Sequence, residues 1–194
     1  AFTDVRILGD KVSAGGATLL PVLARRTVSA GLSGFEWAVG VPGTLGGAVR
    51  MNAGGHGSDI AASLVGVRVI DVLTGEDVRM EAAALELGYR SSRLRRSEVV
   101  VEAQLQLRVA EDPAEREALL GEIVRWRREH QPGGQNAGSV FTNPAGDSAG
   151  RLIDESGARG LRIGSAAVSD KHANFIQADA AGSADDIARV MVSV

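Results

Sequence analysis

Residues 40–57 read GVPGTLGGAVRMNAGGHG, and the fold turns on how that stretch is taken. Its glycine density, with a single proline and almost nothing bulky, describes a backbone that turns sharply and lets another molecule lie directly against its amides. Such a surface suits a phosphate, a ribityl chain or a flat ring, because successive N–H groups converge on oxygen and no Cβ holds the ligand off. The competing reading is a pair of tight turns joining a buried helix to a strand, and glycine content alone favours it. Gly46-Gly47-Ala48 lacks the lysine and hydroxyl of a P-loop, and no G-x-G-x-x-G follows a strand. Nucleotide binding therefore has to be argued from other residues.

Working outward, residues 18–31 read as a helix that begins at Thr18, buries Leu19, Leu20, Val22 and Leu23, tolerates Pro21 in its first turn and stops at Gly31. Before it, residues 2–8 and 11–14 read as two short strands joined at Gly9-Asp10. After the glycine stretch, the alternation of Val65, Val67 and Val69, a turn at Thr74-Gly75 and a returning segment at 77–80 predict a hairpin. Residues 99–109 predict a long strand with Val101, Ala103, Leu105, Leu107 and Val109 on one face and Glu102, Gln104, Gln106 and Arg108 on a wet one. Asp112-Pro113 opens a helix by cap and first-turn proline, with Glu115 set for a reciprocal contact. Its apolar stripe is Leu119, Leu120, Ile123 and Val124 with Trp126 at the end, and Pro132-Gly133-Gly134 closes it. Residues 147–156 predict a short helix, 166–168 and 174–177 short strands, and Ser183 with Asp186 caps a last helix bearing Ile187, Val190, Met191 and Val194.

Composition narrows the function classes. With 194 residues, 44% hydrophobic and 23% charged, the chain is globular, and no apolar run is long enough to span a bilayer. A net charge of -3 and 4% aromatic residues provide neither a basic field nor stacking platforms, which argues against nucleic acid. The absence of cysteine excludes disulfides and thiolate chemistry, and His56, His130 and His172 lack metal-ligand spacing, so no metal is expected.

Three further stretches carry polar chemistry. Arg90, in Tyr89-Arg90-Ser91-Ser92, falls in an irregular connection facing whatever the glycine stretch binds, although most arginines are solvated or ion-paired. In the run from Asn136 to Pro144, Ser139 lies between glycine and an apolar pair, and Asn143 is restricted by the following proline. No G-x-S-x-G elbow is present, so Ser139 is better suited to giving a proton than to attacking a carbonyl. The run from Val168 to Ile176 packs hydroxyl, ammonium, imidazole and amide together and, taken alone, reads as a solvated loop.

Taken in order, GVPGTLGGAVRMNAGGHG, YRSS, NAGSVFTNP and AGRLIDESGARGLRIGSAAVSDKHANFI resemble the UDP-N-acetylenolpyruvoylglucosamine reductase family, the MurB-type flavoenzymes of peptidoglycan precursor synthesis, across about residues 12–176. The resemblance implies an α+β fold: part of a two-lobe FAD-binding domain of the PCMH/VAO-like kind, then a MurB C-terminal-like substrate-binding domain. Residues 1–110 would be the second flavin lobe and 111–194 the substrate domain. The family's first flavin lobe is expected before residue 1, and its catalytic glutamate after Val194. The short interval between Arg90 and Ser139 is similar to the subgroup without a tyrosine-bearing insertion.

The implied activity is cytoplasmic reduction of a UDP-sugar, UDP-N-acetylglucosamine enolpyruvate, to UDP-N-acetylmuramate, with FAD as cofactor and NADPH as reductant. Negative charge would develop beside the substrate carboxylate and need both stabilisation and a proton. By resemblance, Arg90 is the stabilising arginine, Ser139 the proton donor and Asn143 a substrate contact. Pro42, Gly43, Thr44, Gly46, Gly47, Asn52, Ala53 and Gly54 match the stretch along the flavin, and Lys171, His172 and Asn174 match a third, substrate-side signature. Thr142 stands where the family often has lysine, and Ser165 replaces a usual glycine. Two alternatives stay open: another flavin oxidase or dehydrogenase of the same fold, and a nucleotide-sugar-binding module without turnover.

Overall fold

The computed structural model describes residues 2–134, 136 and 138–194. The chain divides into two compact units, Ala1–Arg125 and Trp126–Val194. The first carries β1 (Val5–Leu8), β2 (Lys11–Gly15), α1 (Leu20–Ser29), β3 (Leu32–Ser33), α2 (Leu45–Arg50), β4 (Gly54–Gly55), β5 (Ser58–Asp59), β6 (Leu64–Asp71), β7 (Asp77–Glu81), β8 (Glu98–Gln106) and β9 (Arg108–Val109). The division falls inside α3 (Pro113–His130). The second unit continues with α4 (Ala149–Glu155), β10 (Arg162–Ile163), β11 (Ala166–Val168), β12 (Ile176–Ala178) and α5 (Ala184–Ser193). No described helix is long and apolar enough to cross a membrane.

The first unit is built on an antiparallel sheet of order β1-β2-β8-β6-β7. Ala103 of β8 pairs with both Ala14 and Val67, and Val12 pairs with Leu105, so small and branched side chains line one buried face. The hairpin of β6 and β7 matches the sequence expectation. Val65 does not: a register shift between Leu64 and Gly66 turns it outward, 42% exposed, while Val67 and Val69 stay buried. On β8, Ala103 and Leu105 are buried while Gln104 and Gln106 are exposed. Beyond it Val109 is 73% exposed.

α1 begins two residues later than expected. Leu19 is extended, and Leu19 and Val22 are exposed; the buried face is Leu20, Leu23, Ala24, Thr27 and Val28, the i, i+3, i+4, i+7, i+8 stripe of a helix facing a core. Thr18 is buried, and its carbonyl accepts from Leu45 N at 2.8 Å while Leu20 N donates to Gly43 O at 3.0 Å. This small bridge fastens the glycine stretch to the start of α1. At the start of α3, Asp112 Oδ1 accepts from Ala114 N and Glu115 N at 2.9 and 3.2 Å. Glu115 pairs with Arg116 instead of closing a capping box, and Trp126 is 44% exposed.

The second unit has an antiparallel sheet of order β10-β11-β12 with α4 and α5, around Ala149, Ile153, Ala166, Val168, Ile176 and Val190. Ser148 caps α4 by accepting from Arg151 N. The strand expected at 174–177 starts only at Ile176, because Phe175 N donates to His172 O and closes a turn. Ser183 caps α5 through Asp185 N, whereas Asp186 turns to Ser165: Ser165 N and Oγ donate to Asp186 Oδ2 at 2.8 and 2.7 Å, and Ser165 Oγ accepts from Ser183 N. Ser165 thus ties the turn between β10 and β11 to the start of α5.

The Ser165 backbone amide, then its hydroxyl, then Arg189 hold the Asp186 carboxyl below its ordinary value of 3.8. A depressed native pKa gives stability that is present above the ordinary value and lost as pH falls through the native one. Ser165→Ala should therefore lower the thermal midpoint by about a few degrees near neutral pH, and by less once pH has fallen through the native pKa of Asp186, as scanning calorimetry across that range would show.

Candidate functional site

The glycine stretch contains a helix that the turn reading lacked. A 3-10 turn at Glu36–Gly40 leads to exposed Pro42 and Gly43; Thr44 then caps α2 with Oγ1 accepting from Gly47 N at 3.4 Å, and Leu45, Ala48 and Val49 are buried. The amides of Leu45, Gly46 and Gly47 are used inside the fold, by Thr18 O, Gly16 O and Thr44 Oγ1. These three do not form the anion cradle that glycine content suggested. Gly46 answers instead to close packing, since a Cβ there would stand 3.0 Å from Val100 O and 3.1 Å from Gly16 O. Gly47 differs: a Cβ there would meet only Thr44 Oγ1, at an ordinary 3.5 Å. Thr44, Gly46 and Gly47 line a groove of about 460 Å³ with Gly16, Arg50 and Val100, a mostly apolar floor suited to a flat ring or chain.

Arg90 reaches this stretch. Its Nη1 donates to Asn52 O at 3.3 Å and its Nη2 to Gly54 O at 3.1 Å, and the residue holds a left-handed φ of +54°. Tyr89 lies beside it, with the guanidinium carbon 5.2 Å from the ring centroid. Asn52, also left-handed at φ +37° and 5% exposed, ties the neighbourhood together. Its Nδ2 donates to Gly88 O and Asp59 Oδ2, both at 3.2 Å, and its Oδ1 accepts from Ala61 N at 3.0 Å. The structure therefore gathers Asn52, Gly54 and Arg90. Ala53 is partly buried against the core.

In the second unit Ser139 is exposed, between Gly138 at φ +81° and Val140. Asn143 is exposed, with Oδ1 accepting from Ala149 N at the start of α4. Thr142 is exposed. Lys171 and His172 line a cavity of about 430 Å³ that also holds Trp126, His130, Arg151 and Arg159. Lys171 Nζ donates to the Arg128 carbonyl, so its charge is not neutralised by that contact. Burial pushes the His172 imidazolium pKa down, and its Nδ1 accepts from Asn174 N at 3.2 Å, which leaves a neutral ring carrying its proton on Nε2. Trp126 and His130 stack with centroids 4.6 Å apart and 13° between planes. Asn174 is buried away from this cavity's lining.

Arg159 is the residue that sequence reading passed over. It pairs with Asp154 through Nε and Nη2 at 2.7 and 2.6 Å, donates to Asp170 O and lines the same cavity as Lys171. The available signal was its setting in Ser-Gly-Ala-Arg-Gly, between Gly157 and Gly160, both left-handed. A larger cavity of about 580 Å³ in the first unit, lined by Trp37, His56, Ser63, Gln106 and Arg108 among others, contains none of the sequence-predicted residues. Among the described residues no cluster of His, Asp or Glu could hold a metal ion.

Comparison with known proteins places these features. Residues 4–81 match a family model described as FAD binding domain, and residues 130–194 one described as UDP-N-acetylenolpyruvoylglucosamine reductase, C-terminal domain. A UDP-N-acetylenolpyruvoylglucosamine reductase of Synechococcus sp. (strain RCC307) is 48% identical over 81% of this chain and 52% of its own length. The chain belongs to the UDP-N-acetylenolpyruvoylglucosamine reductase family. A reductase of the same name from Moorella thermoacetica is 45% identical over the whole of this chain and 65% of its own. The crystal structure of UDP-N-acetylenolpyruvylglucosamine reductase (MurB) from Thermus caldophilus superposes with a TM-score of 0.86 at 38% identity, covering 93% of this chain and 66% of that one. The chain thus spans between about half and two thirds of the length of these reductases. The α+β fold, an FAD-binding portion followed by the family's C-terminal domain, is as the resemblance implied.

Proposed function

We propose that this chain supplies the second flavin lobe, residues 1–110, and the substrate domain, residues 111–194, of a cytoplasmic enzyme of peptidoglycan synthesis. The enzyme reduces UDP-N-acetylglucosamine enolpyruvate to UDP-N-acetylmuramate at the expense of NADPH. FAD, when bound, supplies the two-electron chemistry between NADPH and the enolpyruvyl double bond. Pro42, Gly43, Thr44, Gly46 and Gly47 give it a surface without bulky side chains, Ala53 and Gly54 lie further along the stretch, and buried Asn52 supports them through its internal hydrogen bonds.

The observation that carries this reading is Arg90. Arg90, in a sparsely populated backbone conformation, holds its guanidinium against the carbonyls of Asn52 and Gly54, two residues that lie inside the FAD-binding match. There it stabilises charge that develops next to the substrate carboxylate. Ser139 holds a hydroxyl that delivers the proton to the neighbouring carbon, and Asn143 orients the substrate beside it. Arg159, Lys171 and the Nε2 proton of His172 present donors to the diphosphate, while the Trp126–His130 stack offers a flat surface to the base.

The purified, flavin-loaded protein should be bleached by NADPH without oxygen and recover its colour on adding the enolpyruvyl UDP-sugar. Recovery with an alcohol-derived carbonyl compound instead would favour the oxidase reading, and UDP-sugar binding with no flavin uptake the module without turnover. Arg159→Ala should raise the Kd for UDP-N-acetylglucosamine about 10–100-fold in calorimetry, the worth of one charge-assisted contact. An unchanged Kd would remove this cavity from substrate binding.

A further inference from the structure

The resemblance sets Asn174 among the substrate contacts, yet its side chain is turned into the protein. It is 3% exposed, Oδ1 accepts from Phe141 N at 2.8 Å, and Nδ2 donates to Phe141 O at 2.8 Å. Its backbone carbonyl also accepts from Val140 N at 2.9 Å. A side-chain amide closing bonds to both the backbone N–H and the C=O of one residue reproduces, for that residue, the pairing of neighbouring strands. Substrate is left with one N–H of a buried group.

The segment so clamped begins directly after Ser139. On its other side Asn136 Oδ1 accepts from Gly138 N at 3.0 Å, and Gly138 holds the left-handed φ of +81°. Ser139 is therefore the exposed residue between two asparagine-held anchors. Asn174 is itself fixed, because its backbone N–H donates to His172 Nδ1 at 3.2 Å. We propose that Asn174 is a positioning residue: it sets the backbone that carries the Ser139 hydroxyl and does not touch substrate. This rests on the assignment of Ser139 as proton donor.

Misplacing a reacting group by about 1 Å can lower a rate on the order of 10²-fold. The test uses the full-length, flavin-loaded protein and the variants Asn174→Ala and Asn174→Asp in rapid-mixing experiments. The aspartate is isosteric; it keeps the acceptor for Phe141 N but sets a second oxygen against Phe141 O, so it carries the test if the alanine variant fails to fold. Bleaching by NADPH should stay within about twofold of the unaltered protein. Reoxidation by the enolpyruvyl UDP-sugar should slow about 10–10²-fold with little change in KM. In a Ser139→Ala background, adding either Asn174 substitution should cost no further reoxidation rate, because the two act through one hydroxyl.

Multiplicative slowing in the double variant overturns the proposal. So does a raised KM at unchanged kcat, which would make Asn174 a substrate ligand, or an equal fall of both half-reactions with the thermal midpoint, which would make it structural only. Failure of the unaltered protein to be reoxidised by the enolpyruvyl compound would instead bring down the reductase reading.

Discussion

Ser139→Ala is expected to leave bleaching by NADPH intact and to slow recovery of flavin colour by the enolpyruvyl UDP-sugar about 10²–10⁴-fold, the usual worth of a positioned proton donor. A serine hydroxyl is a poor acid, so it serves only where the accepting carbon is strongly basic and the hydroxyl is held in place. The backbone bears on the second condition: Ser139 is exposed while the residues on either side of it are anchored. Removing the hydroxyl deletes no core contact, so the thermal midpoint should not move. Stopped-flow traces of each half-reaction separate the outcomes, and equal reoxidation rates in variant and parent would take Ser139 out of the mechanism.

Asn52→Asp should be the most damaging isosteric change in the first unit, lowering stability by about 3 kcal/mol or more. The amide nitrogen now donates to Asp59 Oδ2 and to Gly88 O; an oxygen in its place would face a carboxylate and a carbonyl at the same 3.2 Å, in a residue 5% exposed. Asn52→Gly makes the useful contrast. It relieves the left-handed backbone at φ +37° but removes every side-chain bond, and should cost about 1–3 kcal/mol. Urea titration of the two variants gives the order, and Asn52→Asp unfolding no earlier than Asn52→Gly would show that the amide does not organise this region. Arg90 donates to the Asn52 carbonyl, so a surviving Asn52→Asp protein should also show slowed reoxidation.

Much of the fold was legible because local chemistry and tertiary packing agree. The hairpin of β6 and β7, the wet face of β8 and the Asp112 cap of α3 follow from period-two alternation and from an N-cap followed by proline. The failures have physical causes of one kind. Val65 looked inward until a bulge reversed it, and Leu19 and Val22 looked buried until the helix began later. At Gly46, and at Asn52 and Asn174, glycine and amide types common in ligand sites serve backbone approach and internal hydrogen bonds, because letters report what a residue can bond but not which way it faces. Arg90 and Ser139 came from resemblance across several stretches; neither has a local signal that separates it from a solvated residue. Arg159 stayed hidden because its significance lies in the cavity it shares with Lys171, which adjacency in the chain does not reveal.

Gly47 bears on any effort to make the protein hardier. Glycine inside a helix is disfavoured against alanine by about 0.5–1 kcal/mol, and at this position a methyl group fits without a clash. A stabilising screen would select Gly47→Ala early. The same methyl would put a roof over part of the groove beside Thr44 and Gly46, so a tougher chain there would be a poorer seat for a flat ligand.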